Sequence, residues 1–275
     1  MNLKGKNGLV LGASRGIGLA IARTLADCGM RLALIYHDWP ESSARMIEEF
    51  TARQEGHLFI QADLRCPEAV EGMAQRLAGK FGRLEVLVNN IERGGMPTVH
   101  GAYTRPVNRE QWQLEMDTTL HAKHLVFNCC LPLLQRAKEA AVVNISSIAA
   151  ITGRSGPAGL VFSDGYSAAN RGVAALTRTW ARLGAPSVRV NELMLGLIDS
   201  RHGRGTRGWN EALSEAQKQA LMDHTLVGRT GTPEEVARAV LFLLEADFMT
   251  GATLRLDGGF VLGGERVPAM PDGII

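Results

Sequence analysis

The chain has 275 residues, 45% of them hydrophobic and 21% charged, with a formal net charge of +2. That is ample material for a single globular core, so one α/β domain over residues 1–275 is expected, with 264–275 as a C-terminal tail. Near-neutral charge without a Lys/Arg run sets aside nucleic acid and acidic membrane surfaces as driving partners.

Short apolar runs occur at Gly8–Leu11, Arg31–Tyr36, His57–Ala62, Leu84–Asn89, Ala141–Ile145, Ser187–Leu193 and Ala252–Leu256. Helical patterns lie between them, beginning near Gly16, Glu41, Pro67, Arg109, Tyr166 and Pro233. Strand alternating with helix predicts a doubly wound, Rossmann-type fold with a seven-stranded parallel sheet and helices on both faces. Three Gly-, Pro-, Arg- or Ser-rich segments, Glu92–Asn108, Thr152–Gly165 and Gly196–Asn210, each follow a strand. They are expected over the carboxyl edge of the sheet, where open α/β folds bind ligands. Arg201, Arg204 and Arg207, among glycines, suit either a mobile lid or an ordinary surface loop.

Cys28, Cys66, Cys129 and Cys130 lack Cys-x-x-Cys spacing. They read as small buried apolar residues in a reducing compartment, with no metal site or disulfide framework indicated. Met1 to Lys6 leads straight into an apolar strand without a signal-length hydrophobic region, and no long apolar run follows, so a cytoplasmic location is expected.

Leu9 to Gly18 joins the first strand to the first helix through Gly12, Gly16 and Gly18. Glycines between strand and helix let the backbone turn tightly and approach a pyrophosphate, which the helix N-terminus then binds. The Gly-x-x-x-Gly-x-Gly spacing differs from the common Gly-x-Gly-x-x-Gly fingerprint. Further along come Asp63, Asn89-Asn90, Ser146-Ser147, Tyr166 and Asp257-Gly258-Gly259, each placed after a strand or opening a helix.

With this set of motifs in this order, the chain resembles the short-chain dehydrogenase/reductase family almost end to end, and most of all the carrier-protein-linked 3-oxoacyl reductases. The resemblance implies a nicotinamide cofactor, a small-molecule or acyl-carrier-linked substrate, and a homotetramer or homodimer. It assigns Gly12, Ser14, Arg15, Gly16, Ile17 and Gly18 to the pyrophosphate side, Asp63 and Leu64 to the adenine, Asn89 to the ribose, and Gly196 and Ile198 to the cofactor. At the end of the second strand stands Tyr36, not an acidic residue, while Arg15 and His37 offer donors to a 2′-phosphate. NADP(H) is therefore expected over NAD(H), with Asp38 the residue that argues the other way.

The same resemblance makes Tyr166 the proton donor, Ser147 the group that binds the substrate oxygen, Asn170 the ribose-binding position and Thr119 the site of a water relay. Two of these depart from the family: Asn170 stands where a Lys is usual, and Thr119 where an Asn is usual. An amide hydrogen-bonds ribose hydroxyls but brings no charge to lower a phenol's pKa, which lies near 10 in isolation. Carbonyl reduction should suffer less than alcohol oxidation, because the phenol is already protonated at neutral pH.

Ile91-Glu92 replaces two small residues beside the nicotinamide, and Glu92 either substitutes as acid or base or points to solvent. Lys123, one turn after Thr119, is expected to be solvated or at an interface and not a compensating cation. His121 and His124 read as structural. Three readings follow: an NADP(H)-dependent carbonyl reductase or alcohol dehydrogenase, a catalytically impaired homologue that binds dinucleotide or partners an active subunit, and an imine or alkene reductase using Glu92.

Overall fold

The computed structural model describes residues 1–92, 109–200, 209, 213–265, 267–270 and 273. The strands are β1 (Asn7–Leu11), β2 (Arg31–Tyr36), β3 (Leu58–Gln61), β4 (Val86–Asn89), β5 (Ala140–Ser147), β6 (Val188–Leu195) and β7 (Thr253–Leu256). They form one parallel sheet in the order β3-β2-β1-β4-β5-β6-β7. β1, β4 and β5 are buried along their whole length, as expected of strands covered on both faces.

The helices are α1 (Gly16–Asp27), α2 (Pro40–Ala52), α3 (Pro67–Phe81), α4 (Arg109–Met116), α5 (Ala122–Gln135), α6 (Ala149–Thr152), α7 (Asp164–Gly184), α8 (Glu215–His224) and α9 (Pro233–Glu245). One face of the sheet packs Val10, Val88, Val143 and Leu193 against α1, α2 and α9. The other packs Leu9, Leu87, Val142 and Val190 against α3, α5 and α7, where Phe127 stacks on Trp180 with ring centroids 4.3 Å apart. At roughly 25 cal/mol per Å² of apolar surface removed from water, these two layers hold the edge loops in place.

The seven strands and the helical starts agree with the sequence reading, with local differences. β5 and β6 each run two residues further than their apolar cores suggest, because Ser146 and Ser147 remain paired with Met194 and Leu195. α8 is an element the sequence reading does not contain; it opens on a capping box in which Ser214 Oγ accepts from the Gln217 N–H and the Gln217 side chain accepts from the Ser214 N–H. Between α4 and α5 the helix loosens into a π turn, Asp117–His121, in which Ala122 N–H donates to the Asp117 carbonyl. Of the cysteines only Cys130 is fully buried, which pushes its thiol up to about 12; the other three are half-buried, contrary to the expectation that all four lie inside.

Candidate active site

β1 ends at Leu11 and must reverse into α1 through Gly12–Arg15. Gly12 has a φ of +62°, and a Cβ there would strike the Asn90 carbonyl; a Cβ on Gly18 would strike the carbonyl of Gly12. The turn therefore requires bare backbone at both positions. Arg15 precedes α1 in extended conformation and no side chain caps the helix. Among the described residues no side chain caps its first N–H groups, and a positive helix end of this kind suits a phosphate. Ser14 is buried and Ile17 half-buried beside it.

At the end of β2, Tyr36 is half-buried and the Arg15 guanidinium lies 4.0 Å over the ring of Trp39. Trp39 was not singled out from the sequence, since one aromatic before a proline carries no periodic signal. Asp63 is gripped by Arg65 through bonds of 2.8 and 2.6 Å, which hold its carboxyl down to about 2, and His37 Nε2 stands 3.8 Å away. Leu64 is buried next to it.

Tyr166 sits in the first turn of α7. Ser163 caps that helix by accepting from the Tyr166 N–H at 3.1 Å, and its own hydroxyl donates to the buried Glu115 of α4 at 2.6 Å. The phenol is thereby fixed at 2% exposure, and its hydroxyl donates at 2.6 Å to Oε2 of Glu92, three residues beyond β4. The expectation that Glu92 points to solvent is corrected: its carboxylate meets the phenol of Tyr166 and is half-buried. Ser147, at the end of β5, is buried and its Oγ accepts from Ala149 N–H at 3.2 Å, which leaves the hydroxyl proton for another acceptor.

Asn170 lies one turn along α7, fully buried. Its Nδ2 donates to the Tyr166 carbonyl at 2.9 Å, while its Oδ1 has no hydrogen-bond partner. An orphaned buried acceptor is costly, so this position suits a ligand hydroxyl that would donate to it. Thr119 is buried on the π turn. Lys123 corrects the expectation of a solvated lysine: it is 1% exposed, its ammonium donating to the carbonyls of Ile91 at 2.5 Å and Thr119 at 2.9 Å. Burial pushes it down to about 8, with Glu92 and Glu192 pulling the other way. The side chain reaches back along its helix to the Thr119 and Ile91 carbonyls, as helical side chains lean.

Behind these groups runs a buried polar seam on the α5–α7 side of the sheet. Asn89 Nδ2 donates to Asn144 at 2.7 Å and Asn144 to Thr177 at 2.9 Å, while the Asn89 Oδ1 has no partner. Glu192, fully buried, accepts from Ser146 at 2.6 Å and from Thr253. Gly196 accommodates the Asp257 backbone, where a Cβ would sit 2.6 Å from Cα, and the buried Ile198 bridges to Gly231. Arg154 stands 3.7 Å from Asp164. Arg93, Arg105, Arg201, Arg204 and Arg207 lie outside the described residues.

Residues 12–261 match the family described as enoyl-(acyl carrier protein) reductase. The chain belongs to the short-chain dehydrogenase/reductase family. Within that family it is 31% identical over 265 residues to the 3-oxoacyl-(acyl-carrier-protein) reductase FabG of Staphylococcus aureus, covering 94% of this chain and 98% of that protein. It is 31% identical over 267 residues to FabG of Vibrio cholerae, covering 95% and 100%. The ligand-free structure of Thermoplasma acidophilum aldohexose dehydrogenase is similar with a TM-score of 0.76 and 26% identity, over 98% of each chain. As a short-chain dehydrogenase/reductase the chain is an oxidoreductase homologue of the nicotinamide-dependent type. No helix among the described residues is long and apolar enough to cross a membrane.

Proposed function

We propose that the protein is an NADP(H)-dependent oxidoreductase that interconverts a carbonyl and an alcohol on a small-molecule or acyl-carrier-linked substrate. The observation that carries this reading is the Tyr166 hydroxyl, buried and turned inward to Glu92, three residues beyond the end of β4. A merely structural tyrosine would more commonly send its hydroxyl to backbone or solvent.

The bare-backbone turn at Gly12 and Gly18 and the orphaned Oδ1 of Asn170 both fit a dinucleotide, the first its pyrophosphate and the second a ribose hydroxyl. When bound, the nicotinamide supplies or takes the hydride. Ser147 donates its remaining proton to the substrate oxygen, and Tyr166 exchanges a proton with that oxygen as its charge changes. Arg15 and His37 meet a 2′-phosphate beside Tyr36.

The test is fluorescence titration with NADPH and NADH, followed by NADPH oxidation with short 3-oxoacyl thioesters and simple ketones. Tighter NADPH binding together with turnover supports the reading. Binding of neither dinucleotide overturns it.

A further inference from the structure

A third apolar cluster, apart from the two layers on the sheet, closes over the edge where β5 and β6 end. It joins Ile148, directly after Ser147, and Met194 of β6 to Leu221 and Met222 of α8, together with Phe162 and Tyr166. None of these six is more than 6% exposed. Ligands of open α/β folds approach over this edge, so the side chains that fill it decide what reaches Tyr166.

Phe162 enters the cluster on a turn that its own backbone closes. Gly156–Leu160 is a single 3-10 turn, after which the N–H groups of Val161 and Phe162 both donate to the Ala158 carbonyl, at 2.9 and 3.0 Å. Gly159 lies against the Arg154 carbonyl, where a Cβ would stand 2.6 Å away. The Ser155 hydroxyl ties the start of the segment to the Thr152 carbonyl at 2.6 Å. Ala158, Val161 and Phe162 are thereby turned inward, each at 1% exposure or less, although a stretch this rich in glycine and serine has the composition of a surface loop. Phe162 is followed directly by Ser163, the cap of α7, and its ring centroid lies 6.0 Å from that of Tyr166.

Resting on the carbonyl-reductase reading above, we infer that Phe162, with Val161 beside it, is a size filter for the substrate: the site takes carbonyl compounds whose substituent toward α8 is short and refuses long acyl chains. On that reading the substrate oxygen reaches both Ser147 and Tyr166. Ser147 is followed by Ile148, and Tyr166 is preceded by the Phe162 turn. A substituent that leaves the carbonyl carbon on the α8 side therefore meets side chains already packed against one another. Interiors at this density admit an extra methylene only by displacing their neighbours. Apolar pockets discriminate by about 10- to 200-fold for one methylene, so a chain several methylenes too long is rejected at least that strongly. The substrate class that fits is a small ketone or a short 3-oxoacyl thioester.

The test compares kcat/KM for NADPH oxidation with the N-acetylcysteamine thioesters of 3-oxobutanoate and 3-oxodecanoate, in the unsubstituted protein, Phe162→Leu and Phe162→Ala. The unsubstituted protein should favour the short thioester by at least about 10-fold. Phe162→Ala should move that ratio toward the long thioester by at least about 10-fold, with Phe162→Leu between the two. Should Phe162→Ala fail to fold in a thermal melt, Phe162→Leu and Val161→Ala carry the comparison. Phe127→Leu is the matched control, because it loosens the stacked pair with Trp180 in the other layer and should lower the melting temperature without moving the ratio.

A second readout needs no turnover: calorimetric titration with decanoic acid should give saturable binding to Phe162→Ala and none to the unsubstituted protein. Equal kcat/KM for the two thioesters in the unsubstituted protein, or a ratio that stays fixed across the Phe162 variants, overturns the filter. A ratio that moves as far in Phe127→Leu also overturns it, because general loosening would then account for the change. Failure of the unsubstituted protein to reduce any carbonyl overturns the functional reading instead. The decanoate titration then decides the filter by itself, and equal binding or no binding in both proteins overturns it.

Discussion

Lys123 offers a quantitative test of whether the site carries a buried cation at a cost to the fold. Replacing it by Met keeps the length of the stem and removes the charge. In the native protein burial lowers its pKa from 10.5 to about 8. Near neutral pH the ammonium is present in both native and unfolded chains and its burial cost, at about 1.4 kcal/mol per pH unit, is about 3 kcal/mol. Met relieves that cost but strips a donor from the carbonyls of Ile91 and Thr119, a loss of about 2 kcal/mol in all.

Near pH 7 the variant should therefore be more stable by about 1 kcal/mol, or roughly 2 °C in a chain of 275 residues. Above about pH 8 the native amine gives up its proton while the unfolded chain holds its own up to 10.5, so the stability of the unsubstituted protein rises through this window. By about pH 9.5 it has gained about 2 kcal/mol and the order of the two proteins is reversed. Denaturant midpoints at fixed protein concentration, measured for both proteins across this range, read the crossing directly. A difference that does not change with pH would show that Lys123 is not a buried cation and would refute the reasoning.

Arg15→Ala should weaken NADPH binding by about 10- to 100-fold and NADH binding much less, read from the two dissociation constants, because only the former carries the 2′-phosphate. Ser163→Ala should destabilise the protein by about 1–3 kcal/mol in denaturant melts, since it leaves the buried Glu115 without this donor and α7 without its cap. Asn170→Lys alone should melt below the unsubstituted protein in a calorimetric scan, since it adds a second ammonium to the layer that already buries Lys123. The carboxyls of Asp63 and Glu235 both lie at about 2, held there chiefly by Arg65 and Arg229. Their contributions are present above about pH 4.5 and lost as pH falls toward about 2, so an acid titration of stability should lose part of that slope in Arg229→Ala.

The sheet was legible because buried parallel strands are written as continuous apolar runs between helical periods, and the phosphate turn because its glycines fall between such a run and a helix. The placement of Tyr166 at the start of a helix and of Ser147 at the end of a strand was legible through spacing and resemblance. What the sequence concealed was direction. Glu92 and Lys123 are both residues whose ordinary fate is solvent, and only the packing of α5, the π turn at Thr119 and the end of β4 turns them inward. The Glu192 pocket was hidden for the same reason: a carboxylate inside a strand of hydrophobics is explained only by the hydroxyls of Ser146 and Thr253, brought to it from two other strands. Trp39 gave no signal because its role depends on Arg15, a residue far from it in sequence terms but stacked on it in space.

The most direct test of the whole account is the rate of NADPH oxidation with a short 3-oxoacyl thioester, compared between the unsubstituted protein and Tyr166→Phe. Turnover that falls at least about 100-fold in the variant, with NADPH affinity unchanged, is the expected result. Equal rates in the two proteins would contradict it, because the proton would then be reaching the substrate from elsewhere.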